Sequence, residues 1–181
     1  MSNIYQPRNF SQLNELVNSL LILSKLDNGN KSFVEKIRID EVLYNSIEKI
    51  STDYANFKVN FNIDIIENLE DLLEIDCNQN LLEIVFTNLL KNAYLYSDNK
   101  AVSVHLIEVN KRIAVQFSNS GETLTDKEQL NLFMPFMRGN NAKHKNGLGL
   151  GLKIVQRILT VYGIKVSYQT SNNMNVFTIQ F

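Results

Sequence analysis

Along residues 10–26, "FSQLNELVNSLLILSKL", apolar side chains fall at Leu13, Leu16/Val17, Leu20 and Leu23, with Leu26 just beyond. That three-four spacing predicts an amphipathic helix with a coiled-coil-like seam. "DNGN" follows, with Gly29 placed to terminate it. A lone helix of this length is marginal in water. Its stripe is therefore expected to pack against a second chain or a missing segment.

From residue 31 the pattern changes. "KIRID" reads as a short strand, and "DEVLYNSIEKISTDYA" as a helix capped by Asp40. "FKVNFNIDII" alternates as a strand, "LLEID" is another short one, and "NQNLLEIVFTNLLKNAYLYS" is a long helix. "AVSVHLIEVN" and "RIAVQFSNS" predict an antiparallel hairpin turned at "NK". A short helix fits "TDKEQLNLF". After a loop with Pro135 and Gly139, a helix with Leu150, Ile154, Ile158 and Tyr162 at four-residue steps ends near Gly163. Two strands, "IKVSYQT" and "NVFTIQF", turn at "SNNMN". No repeat is visible. Strands and helices mix without regular alternation, so the class is α+β: a two-layer sandwich of a mixed, mostly antiparallel sheet with helices on one face, preceded by the coiled-coil-like helix.

Composition narrows this reading. With 181 residues, 44% hydrophobic and 20% charged, the chain can build one packed domain and a short appendage. No apolar run approaches the roughly 20 residues of a membrane span, so no membrane contact by this stretch is expected. The single Cys77 reads as a small core residue of a reducing compartment. The net charge of −1 hides an asymmetry, because every acidic residue precedes position 129 while six Lys/Arg follow it. A positive half suggests an anionic ligand. Nucleic acid is not expected, since a stronger overall excess and a basic-aromatic stripe are missing.

Two stretches carry candidate chemistry. In "NGLGLGLKIVQRIL" the glycines Gly147, Gly149 and Gly151 sit where a helix is trying to start. A helix N-terminus offers unpaired N–H groups, and glycines let that backbone approach a phosphate. The stretch matches neither the dinucleotide fingerprint nor a P-loop, so on its own it is either a phosphate cradle or a tolerated glycine-rich helix entry. On the long helix Asn88 and Asn92 lie one turn apart and share a face. They are either part of a Mg²⁺ shell completed by phosphate and water or two solvated polar residues.

Taken together, "NLLKNAYLYS", "FSNSGETL", "LFMPFMRG" and "NGLGLGLKIV" resemble, in order and spacing, the N box, first glycine box, F box and second glycine box of sensor histidine kinases. Their ATP-binding fold is shared with gyrase, Hsp90 and the MutL proteins. The likeness covers residues 31–181, an ATP-binding catalytic domain. Residues 1–29 hold a helix that looks like the second one of the dimerisation and phosphotransfer domain.

The resemblance implies ATP and Mg²⁺ as ligands. It places Asn92 on the metal, with Asn88 assisting or orienting the phosphates, where the related ATPases carry a water-activating glutamate. Tyr96 would pack on the adenine side, and Asn119 and Gly121 would form the base end. Arg138 would face the γ-phosphate, and Phe133 and Phe136 would anchor a lid with Lys145. Gly147, Leu148, Gly149, Leu150 and Gly151 would hold the phosphates. Three positions depart from the pattern: Asn119 replaces an aspartate, Thr123 a glycine, and Leu95 a frequent lysine. Lys91, Arg138, Lys143 and Lys145 are the cations available in compensation.

The resemblance further implies a phosphoacceptor helix and a response regulator as partners, a homodimer in the full protein, and a cytoplasmic position beneath a membrane-bound sensor. The only histidines, His105 in a strand and His144 in the lid, have neither an adjacent acid nor a helical setting. The chain is thus expected to be a fragment that binds ATP–Mg²⁺ without phosphorylating itself. The alternatives are a degenerate nucleotide-binding or dimerisation module, and a serine kinase or ATPase on the same fold.

Overall fold

A computed structural model describes residues 8–27, 34–64, 72–142, 145 and 147–181. Gly29, Lys143 and His144 lie outside the described residues, as does the end of the strand predicted over 57–66.

Five strands form the main sheet: β2 (Lys58–Ile63), β4 (Ala101–Val109), β5 (Arg112–Ser120), β7 (Met174–Gln180) and β6 (Lys165–Ser171), in that spatial order. β2 runs parallel to β4, and the other pairings are antiparallel. The expected mixed, mostly antiparallel sheet is the one observed. The two hairpins turn on two residues each, Asn110–Lys111 and Asn172–Asn173, all four at positive φ, as type I′ turns require. β1 (Glu35–Arg38) and β3 (Glu74–Cys77) form a separate antiparallel ribbon.

One face of the sheet carries the helices α2 (Ile39–Asp53), α3 (Gln79–Tyr96) and α5 (Gly151–Val161). The period-2 alternation of β4 and β5 turns Val104, Leu106, Val115 and Phe117 inward, all fully buried. They meet Leu82, Phe86, Leu89 and Ala93 of α3, also fully buried, with the Phe86 and Phe117 rings 5.7 Å apart. Leaving such a phenylalanine exposed would forfeit about 3 kcal/mol. α3 starts cleanly because Asn78 Oδ1 accepts the Leu81 N–H at 3.0 Å. Cys77 is buried as expected, and burial pushes its thiol up to about 11.

Three expectations change. Asp40 is not the cap of α2, because the helix already begins at Ile39 with Arg38 at the cap position. Asp40 instead holds the Arg38 guanidinium at 2.9 and 3.1 Å from within the first turn, where a carboxylate still favours the positive helix end. The helix predicted over 125–133 is only α4 (Asp126–Leu130), fixed by a capping box between Thr125 and Glu128. The apolar stripe of α1 (Arg8–Asp27) is divided: Ile22, Leu23 and Leu26 pack on the chain's own body, whereas Leu13, Val17 and Leu20 stay exposed. Among the described residues no helix is long and apolar enough to cross a membrane.

Candidate functional site

A cleft opens between α3, the start of α5, the inner end of the sheet and the loop from 132 to 150. The helical period places Asn88, Asn92 and Tyr96 on one stripe of α3, and all three line it. Facing them is the arc Gly147–Leu152, where α5 begins without any side-chain cap. The first-turn N–H groups of α5 therefore keep the positive end of the helix dipole, about half an elementary charge, directed at the cleft.

Contact between these two walls explains Gly151. A Cβ at that position would stand 2.5 Å from Asn88 Oδ1. The Asn88 amide is held in place because its Nδ2 donates to the Ile84 carbonyl at 2.7 Å. Gly149, at φ +71, lies so close to the preceding loop that a Cβ would meet the Met137 carbonyl at 2.7 Å. Here that loop is tied down by its backbone, the Phe136 N–H donating to the Gly149 carbonyl at 2.9 Å.

The Asn92 side chain makes no hydrogen bond with any described residue and lines the cleft, so its amide is open to a ligand there. Asn119 is almost fully buried, and its Nδ2 donates to the Ser120 carbonyl at 3.0 Å. Its Oδ1 accepts nothing from the described residues and faces the cleft. Burial pushes the Tyr96 hydroxyl above its ordinary value, against the opposing Arg138 charge. Gly121 and Thr123 do not line the cleft. Gly121 instead underlies its end, where a Cβ would fall 2.2 Å from the Tyr96 carbonyl.

Of the candidate cations, the three among the described residues are engaged in this structure. Lys91 pairs with Glu15 of α1 at 3.0 Å, so α1 forms part of the cleft wall through Glu15 and Ser19. Arg138 lines the cleft but donates to the Ala142 and Lys145 carbonyls of its own loop. Lys145 lies outside the lining residues. Its Nζ donates to the Leu95 carbonyl and stands 5.2 Å over the Tyr96 ring. Burial, then repulsion from Lys100, lowers its pKa against the pull of Asp98. Phe136 also misses the cleft: the residue is 60% exposed and its backbone N–H anchors the loop, while Phe133 packs on the core. His105 is remote from the cleft, on the outward phase of β4. The fold gives it an acid the sequence does not place beside it, Asp64 Oδ1 at 2.7 Å from Nε2.

Sequence reasoning missed Tyr168 and Asn175, which line the cleft together with Asn119. A signal for Asn175 existed, because it shares the inward phase of β7 with Phe177 and Ile179, and a polar residue there is out of place.

Known proteins agree with this architecture. Residues 77–181 match the family model described as histidine kinase-, DNA gyrase B-, and HSP90-like ATPase. The sensor histidine kinase HprS of Escherichia coli (strain K12) is 28% identical over 98% of this chain and 37% of its own length. The heme sensor protein HssS of Staphylococcus aureus (strain JH9) is 31% identical over 93% of this chain and 36% of its own. The chain thus spans little more than a third of these relatives. Among solved structures, the Acinetobacter baumannii histidine kinase AdeS superposes with a TM-score of 0.74 at 20% identity, over 96% of this chain and 80% of that one. At such identity the likeness is one of fold.

Proposed function

The chain belongs to the histidine kinase-, DNA gyrase B- and HSP90-like ATPase family, and from that premise we propose that it is the ATP–Mg²⁺-binding catalytic part of a sensor histidine kinase. It would transfer the γ-phosphoryl group to a histidine outside these 181 residues, for relay to a response regulator, with the full protein acting as a dimer. The observation that carries this reading is the meeting of two separate sequence signals in one cleft. The unpartnered amide of Asn92 and the held amide of Asn88 face the glycine-opened start of α5.

The donor chemistry fits Mg²⁺. Among the described residues no group of three His, Cys, Asp or Glu could hold a metal ion, so a cation here would rest on the amide oxygen of Asn92 and on the ligands the nucleotide brings. A free amide oxygen with phosphate oxygens and water makes the hard, partly hydrated shell that Mg²⁺ prefers. Asn92 would hold it, with Asn88 beside it, and the ion would supply charge compensation on the phosphates.

The chain's own residues bind and align. The first turn of α5 would take phosphate oxygens, Asn119 Oδ1 would accept the exocyclic amino hydrogen of adenine, and Tyr96 would flank the base. Arg138 would exchange its loop carbonyls for the γ-phosphate as the lid closes. In the transfer, the bond from the bridging oxygen to the γ-phosphorus breaks with its electron pair leaving on ADP, as a phosphorus–nitrogen bond to imidazole forms. Asn88 cannot take a proton, and its Nδ2 is already bound to the Ile84 carbonyl. An attacking water would find no base there, whereas a neutral imidazole brings its own lone pair.

The test uses the full-length product of the gene that encodes this chain and follows label from [γ-³²P]ATP. Label on a histidine, stable to base and labile to acid, is expected. Release of phosphate to water without protein labelling would instead favour an ATPase.

A further inference from the structure

The cleft has walls that favour an anion, yet it contains a carboxylate. Among the described lining residues the charged side chains are Lys91, Arg138 and Glu15. Glu15 comes from α1, outside the residues 77–181 that match the family model. Its Oε1 accepts from Lys91 Nζ at 3.0 Å. One turn further along α1, Ser19 also lines the cleft, and its hydroxyl bonds to no described residue. Helical spacing continues this stripe to Ile22 and Leu26. The contact of α1 with the cleft is therefore polar, and its contact with the core is apolar.

Lys91 follows Asn88 by three residues on α3, so the two are neighbours on the helix surface. A carboxylate and a phosphate offer a lysine the same partner, an anionic oxygen. While Glu15 holds Lys91 the pair is neutral, and a phosphate entering the cleft meets a charge of its own sign. The pair is also easily exchanged. Its side chains are 46% and 40% exposed, and exposed ion pairs are weak and screened by salt. The rear of α1 is anchored in the core by Ile22, Leu23 and Leu26. At the front, Leu13, Val17 and Leu20 are exposed. Loss of the Glu15 contact therefore frees the front half of α1 without detaching the rear.

We propose that Glu15 is a built-in competitor of the nucleotide's phosphates: with α1 docked it occupies Lys91, and bound nucleotide takes Lys91 over and loosens the front half of α1. The inference rests on the nucleotide-binding reading and goes beyond it, because it makes the occupancy of the cleft and the docking of α1 two sides of one equilibrium. Such coupling is reciprocal. Whatever draws the front of α1 away tightens the nucleotide, and the nucleotide weakens the hold on α1 by the same factor.

The experiment titrates ATP with Mg²⁺ into the 181-residue chain and its Glu15→Gln variant, which keeps the size of the side chain and removes its charge. Glu15→Gln should tighten ATP about threefold, the scale of an exposed ion pair. The difference between the two chains should shrink as NaCl is raised from about 0.1 to about 1 M. In the unsubstituted chain, amide exchange over residues 13–19 should accelerate by a similar factor at saturating ATP. Lys91→Met should accelerate it already without nucleotide, and ATP should then add little. Unchanged or weaker ATP binding by Glu15→Gln would overturn the proposal while leaving nucleotide binding intact. So would a gain that ignores salt, which points to bulk rather than charge, or exchange in α1 that ATP leaves alone or slows. Failure of both chains to bind ATP would overturn the underlying reading and this inference with it.

Discussion

Replacing Gly151 by alanine tests whether the N-terminus of α5 and the asparagine face of α3 form one site. The new Cβ would lie 2.5 Å from Asn88 Oδ1, where ordinary contact begins at 3.4 Å, an overlap of about 0.9 Å. Relief comes in one of two ways. The Asn88 amide swings aside and gives up its bond to the Ile84 carbonyl, a net loss of about 1 kcal/mol plus a similar cost for an off-rotamer side chain. Otherwise α5 backs away from α3 and loosens Ile154, Val155 and Ile158, all buried. Alanine in place of glycine returns up to about 1 kcal/mol of helix propensity. Folding stability in urea should therefore fall by no more than about 1 kcal/mol. Either form of relief displaces a group that, on the proposed function, would face the phosphates, so ATP–Mg²⁺ affinity should drop at least tenfold, about 1.4 kcal/mol. Urea unfolding and calorimetric titration of the same preparation read both quantities. Unchanged affinity in a folded Gly151→Ala variant would refute the reasoning.

Other outcomes follow from the same structure. Asn92→Ala should leave stability within about 0.5 kcal/mol, because Asn92 bonds to no described residue, yet remove the Mg²⁺-dependent part of ATP affinity. Retained Mg²⁺ dependence would move the metal elsewhere. The Glu128 carboxyl is held below its ordinary 4.5 by the Thr125 hydroxyl and by the N–H groups of Asn140 and Thr125. Its contribution is full above 4.5 and lost as pH falls through the lowered value, so exchange of the Asn140 amide, corrected for its intrinsic rate, should accelerate only in that acid window. Cys77, pushed up to about 11 from 9.0 chiefly by burial, favours the neutral thiol. Its contribution is full below pH 9.0 and lost as pH rises towards 11, and its alkylation at pH 8 should proceed only as the chain unfolds.

The elements legible in the sequence were those with an unbroken period. α3, α5 and the two hairpins follow from 3.6- and 2-residue patterns closed by Asn-rich turns. Asn88, Asn92 and the glycines, which line one cleft, were legible as candidates because they lie on or beside regular elements whose faces the period fixes. What escaped depends on contacts between distant segments. Nothing local pairs His105 with Asp64, directs Glu15 to Lys91, or places the Lys145 ammonium on the Leu95 carbonyl. Asp40 looked like a cap because a carboxylate before an apolar run usually is one, but Arg38, two residues back, captured it. Phe136 looked like a lid anchor by its type, whereas the fold uses its N–H. Asn175 was readable in principle, as a polar side chain on the core phase of a strand.

The central claim is that the cleft between α3 and α5 binds nucleotide through magnesium. Calorimetric titration of the unsubstituted chain with ATP, in Mg²⁺ and again in excess EDTA, tests it most directly. The account predicts a single saturable site whose affinity falls at least tenfold when Mg²⁺ is removed. No heat of binding up to millimolar ATP, or equal affinity in both buffers, would contradict it.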